Sequence, residues 1–249
     1  MKVNENTAIS TAGVLLVPYD SRHVPTYHAW MEDEAIRTAT ASDRLTLEEE
    51  YENQVSWRAD ADKLTFILCQ PLAEKDTEGD SVAAGIDDAP GRMIGDINFF
   101  LYPYEEEEDG DRQGNQPETN TSQPLLYSGE VDVMIARPEH RGQGFGRAAV
   151  TAFLHYILEQ NRAAILYEAV AAEATASPTT PTQTQPHQLK QLMVKIQATN
   201  EASIGLFKSL GFAQKGSVNY FGEVELTRST LDAPAPTAYA EKVYKRTDA

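Results

Sequence analysis

The chain has 249 residues, 24% of them charged, and a formal net charge of −17. This length predicts one domain with a sizeable core, and the acidic balance argues against nucleic-acid binding. The sequence contains no run of eighteen apolar residues, so no membrane span is predicted. The start lacks an apolar signal core and the single cysteine, Cys69, cannot form an internal disulfide, so we expect a cytoplasmic location, with the nucleus left open.

The first half of the chain predicts strands and helices in the order strand, helix, helix, strand, strand, at 14–19, 22–38, 46–57, 63–70 and 93–101. Two acidic segments, 71–90 and 102–129, together supply −11 of the net charge, so the remainder carries −6. Acidic runs bounded by Gly, Pro and Asn are typical of solvated loops. We therefore interpret both segments as flexible insertions, and only a modest preference for cationic acceptors follows from the charge.

The second half predicts a strand at 130–136 and, after a glycine-rich turn, a helix at 146–160 or beyond, whose apolar residues form one stripe. Residues 174–188 are rich in Thr, Pro and Gln, which is typical of a flexible insertion. A strand at 190–198, a helix from Asn200 and a strand or hairpin at 218–228 follow, and residues 231–249 are interpreted as a loose tail.

The turn Arg141–Gly146 is the most informative segment, because it joins a predicted strand to a predicted helix. Such a turn directs unpaired backbone N–H groups and the positive end of a helix dipole at one point, which favours an anion such as phosphate. The spacing excludes a P-loop, since no Lys-Ser or Lys-Thr follows, and it excludes the G-x-G-x-x-G dinucleotide fingerprint. The pattern that fits is R-x-x-G-x-G, although an ordinary basic turn would also explain it when taken alone.

A second block follows the apolar strand Leu192–Ile196 and supports the first. It reads N-x-x-S-x-x-L-F-x-x-L-G-F, from Asn200 to Phe212. Asn200 is a good helix N-cap, and Gly211 occupies a position typical of a left-handed helix C-cap. An ordinary helix explains either block alone but explains the pair poorly.

The two blocks together resemble the GNAT superfamily of acyl-CoA-dependent N-acetyltransferases, and a Trp-Met pair at Trp30–Met31 resembles its ribosomal-protein branch. More closely, the chain resembles eukaryotic N-acetyltransferase 9-like proteins in the segments Asn4–Thr7, Leu16–Tyr19, His23–Pro25, Leu45–Glu48, Trp57–Lys63 and Val133–Ala136. The resemblance covers most of residues 1–230. It implies an α/β (α+β) fold in which a mixed, mostly antiparallel sheet is split at the acetyl-CoA site and flanked by about four helices.

The resemblance implies acetyl-CoA as co-substrate, without a metal. Backbone N–H groups of the turn, with the charge of Arg141, would bind the pyrophosphate, and free N–H groups around Met134 to Ala136 would face the pantetheine and the thioester oxygen. The full predicted binding set is Met134, Ile135, Ala136, Arg141, Gly142, Gln143, Gly144, Phe145, Gly146, Arg147, Asn200, Ser203 and Phe207.

The resemblance also implies the catalytic groups. Glu130 is the predicted general base, with burial against Phe99 or a similar residue as a means of bringing its pKa near the operating pH, and Asp132 on the same strand face competes for the role. A solvated strand-end carboxylate is the alternative for Glu130. Phe207 replaces the tyrosine that donates a proton in many members, so Ser203 is the predicted acid, although it would serve equally as a surface hydroxyl. Tyr127 and Tyr220 are further candidates.

The predicted function is acetyl transfer from acetyl-CoA to a primary amine, at a protein N-terminus or a lysine, by direct attack. A small amine would use the same chemistry. The alternative from another class is a non-catalytic acyl-CoA-binding or scaffold protein on the same fold. Phe207 mildly favours that alternative, while Glu130, Asn200 and the complete glycine turn argue against it. The expected partner is a protein or peptide amine, with neither nucleic acid nor membrane.

Overall fold

One ten-stranded sheet organises the chain in the computed structural model, which describes residues 1–73, 77–104, 124–176 and 186–246. The strands in chain order are β1 (Thr7–Ser10), β2 (Leu15–Pro18), β3 (Lys63–Cys69), β4 (Ser81–Ala83), β5 (Met93–Pro103), β6 (Leu125–Ile135), β7 (His187–Gln197), β8 (Ala213–Lys215), β9 (Glu223–Arg228) and β10 (Ala240–Lys245). Their order across the sheet is β4-β10-β1-β2-β3-β5-β6-β7-β9-β8. Neighbours are antiparallel except for the pairs β10–β4 and β6–β7, so the predicted mixed, mostly antiparallel sheet is confirmed.

Six α-helices flank this sheet in the described ranges, where the sequence predicts about four. They are α1 (Val24–Met31), α2 (Glu34–Ala39), α3 (Leu47–Ala59), α4 (Phe145–His155), α5 (Arg162–Ala176) and α6 (Glu201–Ser209). The predicted helix at 22–38 is divided because the Asp33 carboxylate accepts a hydrogen bond from the Ala35 N–H (2.8 Å) and starts a new helix. The predicted helix at 146–160 or beyond is also divided. Helix α4 continues as a π-helical turn over Tyr156–Gln160, and α5 begins after Asn161.

The sheet has an apolar layer on each face because strand residues alternate between faces. On one face, Phe66 and Phe99 pack with the α4 stripe that includes Phe153. On the other face, residues such as Ile67 and Met134 pack under the N-terminal helices with Trp30, Met31 and Tyr27. None of the helices in the described ranges is both long enough and apolar enough to span a bilayer.

The predicted loose tail at 231–249 is wrong over residues 240–245, which form β10 between β1 and β4. Tyr244 and Lys242 are 2% and 6% exposed, and the Lys242 ammonium donates to the Thr77 carbonyl oxygen (2.7 Å). Three of the six residues in Ala240–Lys245 are charged, so the local composition resembles that of a tail. The strand forms because both of its edges find partners.

The predicted flexible insertion at 71–90 is also wrong over much of its length. Residues 81–83 form β4, and Asp88 is 1% exposed. The Tyr244 hydroxyl donates to Asp88 (2.5 Å), and so does the His23 Nε2 (2.8 Å), since the His23 Nδ1 accepts from the Asp20 N–H. Because these hydrogen bonds compensate for its burial, the Asp88 carboxylate is part of the fold. The other predicted insertions lie largely outside the described residues, at 105–123 and 177–185.

Candidate active site

The sheet opens between its parallel strands β6 and β7. Their pairing runs from Leu125↔His187 to Glu130↔Met193, whereas β6 stays paired with β5 as far as Ile135↔Gly95. Residues 131–135 of β6 therefore continue past the last β7 partner. A gap between two strands of one sheet exposes backbone hydrogen-bonding groups that a ligand can use.

The open side of β6 is reached by every second residue, because hydrogen bonds alternate between the two edges of a strand. The Ala136 N–H donates to the Ile94 carbonyl oxygen (2.9 Å). The prediction of a free N–H at Ala136 is therefore wrong, and by alternation the Met134 N–H is directed to β5 as well. Ile135 and Val133 are directed to the open side, so Ile135 is the member of the predicted trio that fits an oxyanion donor.

Gly95 allows β6 to lie close to β5 at this point. A Cβ atom built on Gly95 would lie 1.8 Å from the Met134 carbonyl oxygen, a distance no side chain can occupy. The absence of a side chain therefore lets the β6 backbone lie close against Gly95 where the sheet opens.

The glycine turn has the geometry of an anion site. Gly142 and Gly144 have positive φ values of 72° and 89°, and a Cβ on either would meet open space. Helix α4 starts at Phe145, and its first backbone bond runs from the Ala148 N–H to the Gly144 carbonyl (3.0 Å). Within the described ranges, no group accepts a hydrogen bond from the N–H groups of 142–147. The turn thus presents exposed donors at a helix N-terminus, as a pyrophosphate requires.

Side chains around the turn fix its position. The Arg141 guanidinium donates through Nε to the Ile135 carbonyl and through Nη2 to the Ala136 carbonyl, both at 3.0 Å, which ties the turn to the end of β6. The Arg147 guanidinium donates to the Ser209 hydroxyl of α6. The turn is therefore held between the open strand and α6, and the Arg141 charge stays beside the free N–H groups.

Helix α6 begins as the sequence predicts, and its buried side is part of the core. The Asn200 side chain accepts from the Ser203 N–H (3.1 Å), and Gly211 after the helix has φ +86°. Ser203 is half-buried. Phe207 is 2% exposed and packs edge-to-face on Phe212 with ring centroids 5.2 Å apart. This burial argues against Phe207 as a cofactor contact and leaves no hydroxyl at that position.

The two tyrosine candidates lie elsewhere. The Tyr127 hydroxyl is 3.2 Å from the His187 Nδ1, at the end where β6 and β7 are still paired. Tyr220 is 97% exposed in the loop between β8 and β9. Neither position brings a phenol to the opening of the sheet in this structure.

Glu130 lies at the last residue pair before the sheet opens. Its carboxylate accepts a hydrogen bond from the Lys195 ammonium (3.0 Å) across β6 and β7. Phe99 itself does not cover Glu130, because Phe99 lies on the opposite face; Phe100 is the similar residue that is paired with Glu130. Sequence patterns did not indicate Lys195, since a partner on a parallel strand is 65 residues away.

Asp132 lies two residues further along β6, on the same face. Burial and then the neighbouring Glu130 charge raise the pKa of Asp132 to about 6, while a hydrogen bond from the Val133 backbone opposes the rise. No cation contacts this carboxylate in the described part of the chain. A carboxylate with this pKa is well matched to proton transfer near neutrality.

The structure adds Asp96 of β5, which the sequence analysis missed. Asp96 is 2% exposed, and burial together with the Asp132 charge raises its pKa to about 7. One signal was present: Asp96 interrupts the apolar strand Met93–Leu101, where a buried carboxyl needs a structural or chemical reason. Across the described ranges, no group of three His, Cys, Asp or Glu side chains is arranged to hold a metal ion.

A match to a known protein family covers the elements that form this site. The family described as "Acetyltransferase (GNAT) domain" matches residues 14–213, which include both strands of the opening, the glycine turn and α6. The chain belongs to the GNAT acetyltransferase family. It is accordingly an acetyltransferase enzyme, and the sheet opening and the turn are the places where we expect its chemistry.

Relatives extend over nearly the whole chain. A Drosophila melanogaster protein named alpha/beta-tubulin-N-acetyltransferase 9 is 40% identical over 228 residues, covering 92% of this chain and 89% of its own. A Schizosaccharomyces pombe N-acetyltransferase 9-like protein is 36% identical over 234 residues, covering 91% and 97%. The resemblance to N-acetyltransferase 9-like proteins is thus confirmed.

Solved structures confirm the fold. A GNAT-family acetyltransferase from Bacillus anthracis superposes with a TM-score of 0.52 at 10% identity, covering 89% of this chain and 98% of that one. A ribosomal L7/L12 alpha-N-protein acetyltransferase, solved in complex with coenzyme A, gives a TM-score of 0.50 at 12% identity, covering 88% and 95%. At these identities the likeness concerns the fold.

Proposed function

We propose that this GNAT enzyme transfers the acetyl group of acetyl-CoA to a primary amine of a protein, at the N-terminus or a lysine, by direct attack. One observation carries the proposal: β6 continues past Glu130 without a partner residue on β7, and its far end leads into the N–H cluster at 142–147. An extended ligand anchored by phosphate at the turn would reach the open edge of β6. Acetyl-CoA supplies the thioester whose carbonyl carbon accepts the amine.

The chain's own groups supply the remaining requirements. The Ile135 N–H, directed to the open side, donates to the thioester oxygen as negative charge develops there. The amine nitrogen forms the new N–C bond and gives its proton to a carboxylate of β6 on the sheet face that the N-terminal helices cover. The C–S bond breaks, and the sulfur leaves as a thiol with a proton from an acid on α6, for which Ser203 is the proposed donor. Solvent restores both groups.

Of the two candidate bases, Asp132 is better supported than Glu130. The Glu130 carboxylate already accepts a hydrogen bond from the Lys195 ammonium (3.0 Å), so an incoming amine would have to compete with that contact. Asp132 is free of such a partner among the described residues and has a raised pKa. We therefore propose Asp132 as the proton acceptor, with Glu130 contributing negative charge beside it.

The proposed acceptor comes from the fly relative, whose name states alpha/beta-tubulin. We carry that acceptor over as a proposal, together with a cytoplasmic location where tubulin is available. The test combines purified tubulin heterodimer, acetyl-CoA and the full chain, with thiol release followed in time and the acetylated residue located by mass spectrometry. A short peptide with the same N-terminus serves as a second acceptor, and its amine-blocked form is the control.

The expected result is thiol release that depends on the free amine and falls at least tenfold in Asp132→Asn, with acetyl-CoA binding retained. Binding without turnover on any protein amine would contradict the proposed acceptor class. Full activity of Asp132→Asn with a large loss in Glu130→Gln would contradict the assignment of the base and restore the prediction made from sequence. Unaltered turnover in Ser203→Ala would remove Ser203 as the acid.

A further inference from the structure

Two carboxyls lie on neighbouring strands at the opening of the sheet. In the pairing of β5 with β6, Asn98 is opposite Asp132 and Asp96 is opposite Met134. Asp96 is therefore the diagonal neighbour of Asp132 on the sheet face that the N-terminal helices cover. Diagonal neighbours on one sheet face are near enough to interact. Asp132 is half-buried beside the gap, whereas Asp96 lies behind it and is 2% exposed.

Hydrogen bonds hold Asp96 in place from two elements. The Asn98 amide donates to Asp96 Oδ2 (3.0 Å), and the Thr65 hydroxyl of β3 donates to Asn98 Oδ1 (2.7 Å), which fixes the amide orientation. The Tyr27 hydroxyl of α1 also approaches Asp96 Oδ2 (3.4 Å). The donors all converge on one oxygen, and no described side chain brings a positive charge to either carboxyl.

The other titratable groups around the pair are acidic or phenolic. Tyr27 and Tyr19 lie above Asp96, and burial followed by nearby carboxylates raises the pKa of both phenols. Glu50 of α3, which has His28 beside it, lies within electrostatic range of these tyrosines. Glu130 faces Asp132 from β6 and carries its own cation, Lys195. Because no described cation lies between them, the half-buried Asp132 and the buried Asp96 disfavour full ionisation of each other.

We propose that Asp96 and Asp132 act as one base: the pair shares a proton, Asp132 takes the proton of the acceptor amine, and Asp96 is a positioning residue that acts through Asp132. This inference rests on the proposed function. The ionised pair binds one proton more tightly than Asp132 alone would, because protonation relieves the repulsion between the two charges. The proton leaves the amine nitrogen as the N–C bond forms, and solvent removes it from the pair afterwards.

The test begins without substrate, so that it is independent of turnover. The full chain is labelled with ¹³C at the aspartate carboxyls, and their titration is followed by NMR in wild type, Asp96→Asn and Asp132→Asn. The asparagine oxygen at 96 can still accept from Asn98 and Tyr27, so the fold is retained. We expect each substitution to lower the titration midpoint of the remaining carboxyl, relative to the upper step of wild type, by about one pH unit.

Activity then decides whether the coupling matters for the reaction. The acid limb of kcat/KM should move to lower pH by about one unit in Asp96→Asn, with KM for acetyl-CoA unchanged. Glu50→Gln is the matched control, since it removes a buried carboxyl (2% exposed) that belongs to α3 and lies outside the pair, and it should leave the Asp132 midpoint unmoved. Independent titration of the two carboxyls, or coupling with an unmoved acid limb, would overturn the proposal. An enzyme silent on every amine would instead count against the proposed function, and the NMR result would still stand.

Discussion

A negative side chain in the glycine turn should separate co-substrate binding from folding. Gly144 is exposed, has φ +89° and precedes α4, where the free N–H groups of 142–147 converge. Gly144→Asp places a carboxylate where a phosphate oxygen would lie. Two unit charges 4 Å apart repel by about 1 kcal/mol in water and by about 4 kcal/mol at an effective dielectric near 20.

Because the turn is exposed, we take a value of about 2 kcal/mol, which corresponds to a loss of roughly 30-fold in acetyl-CoA affinity. The left-handed backbone adds a separate cost to folding of about 1 kcal/mol for any residue with a Cβ. Calorimetric titration with acetyl-CoA measures the first effect, and urea unfolding measures the second.

Gly216→Asp is the matched control, since Gly216 is also exposed, has φ +70° and has open space around a Cβ. It adds the same charge and a similar backbone cost in the loop between β8 and β9. We expect both variants to lose similar stability and only Gly144→Asp to lose binding. Equal acetyl-CoA affinities in the two variants would refute the assignment of the turn as the pyrophosphate site.

Three further predictions concern stability. Phe153→Ala removes a fully buried ring that packs edge-to-face on Phe66, and should lower the free energy of unfolding in urea by about 3–5 kcal/mol; a loss below 1 kcal/mol would show that the core there is loose. Ending the chain before Ala240 should abolish a cooperative thermal transition because β1 and β4 lose their shared neighbour, whereas deleting 177–185, chosen for its composition, should shift the midpoint little. The native state holds the Asp96 proton up to about pH 7, whereas the unfolded chain releases it near pH 4, so the free energy of unfolding falls as pH rises between these values. Asp96→Asn should therefore be more stable than wild type at pH 8, by up to about 4 kcal/mol. Equal stability of the two proteins at pH 8 would count against a buried, high-pKa carboxyl.

Short-range patterns predicted the parts of the site that depend on local backbone geometry. The strand, the glycine turn and the start of α4 are specified by neighbours in sequence, as is the Asn200 cap of α6, because a turn or a cap is a matter of four or five residues. The family resemblance added the role that we predict for the turn. Features that arise from pairing between distant segments were less accessible.

The missed features all depend on long-range partners. Strand β10 forms because β1 and β4 flank it, and nothing within Ala240–Lys245 announces that position. The sequence predicts Glu130 as a base without a cationic partner, but the parallel pairing of β6 and β7 brings Lys195 beside it. Asp96 became a candidate because α1 covers it. A sequence pattern predicts on which face of a strand a side chain lies, but the charged side chains that it meets there come from distant parts of the chain.

The position of β10 links the assembly of this enzyme to the direction of its synthesis. The ribosome delivers β1 more than two hundred residues before its neighbour β10, and within the described ranges β10 is the strand with which β4 pairs. A nascent chain can form the helical layers and the glycine turn early, yet one side of its sheet stays unfilled until residue 245 has emerged. Contacts of such sequence separation form slowly. We therefore expect nascent chains stalled before residue 240 to expose the β1 edge and to be the form of this protein on which chaperones and proteases act.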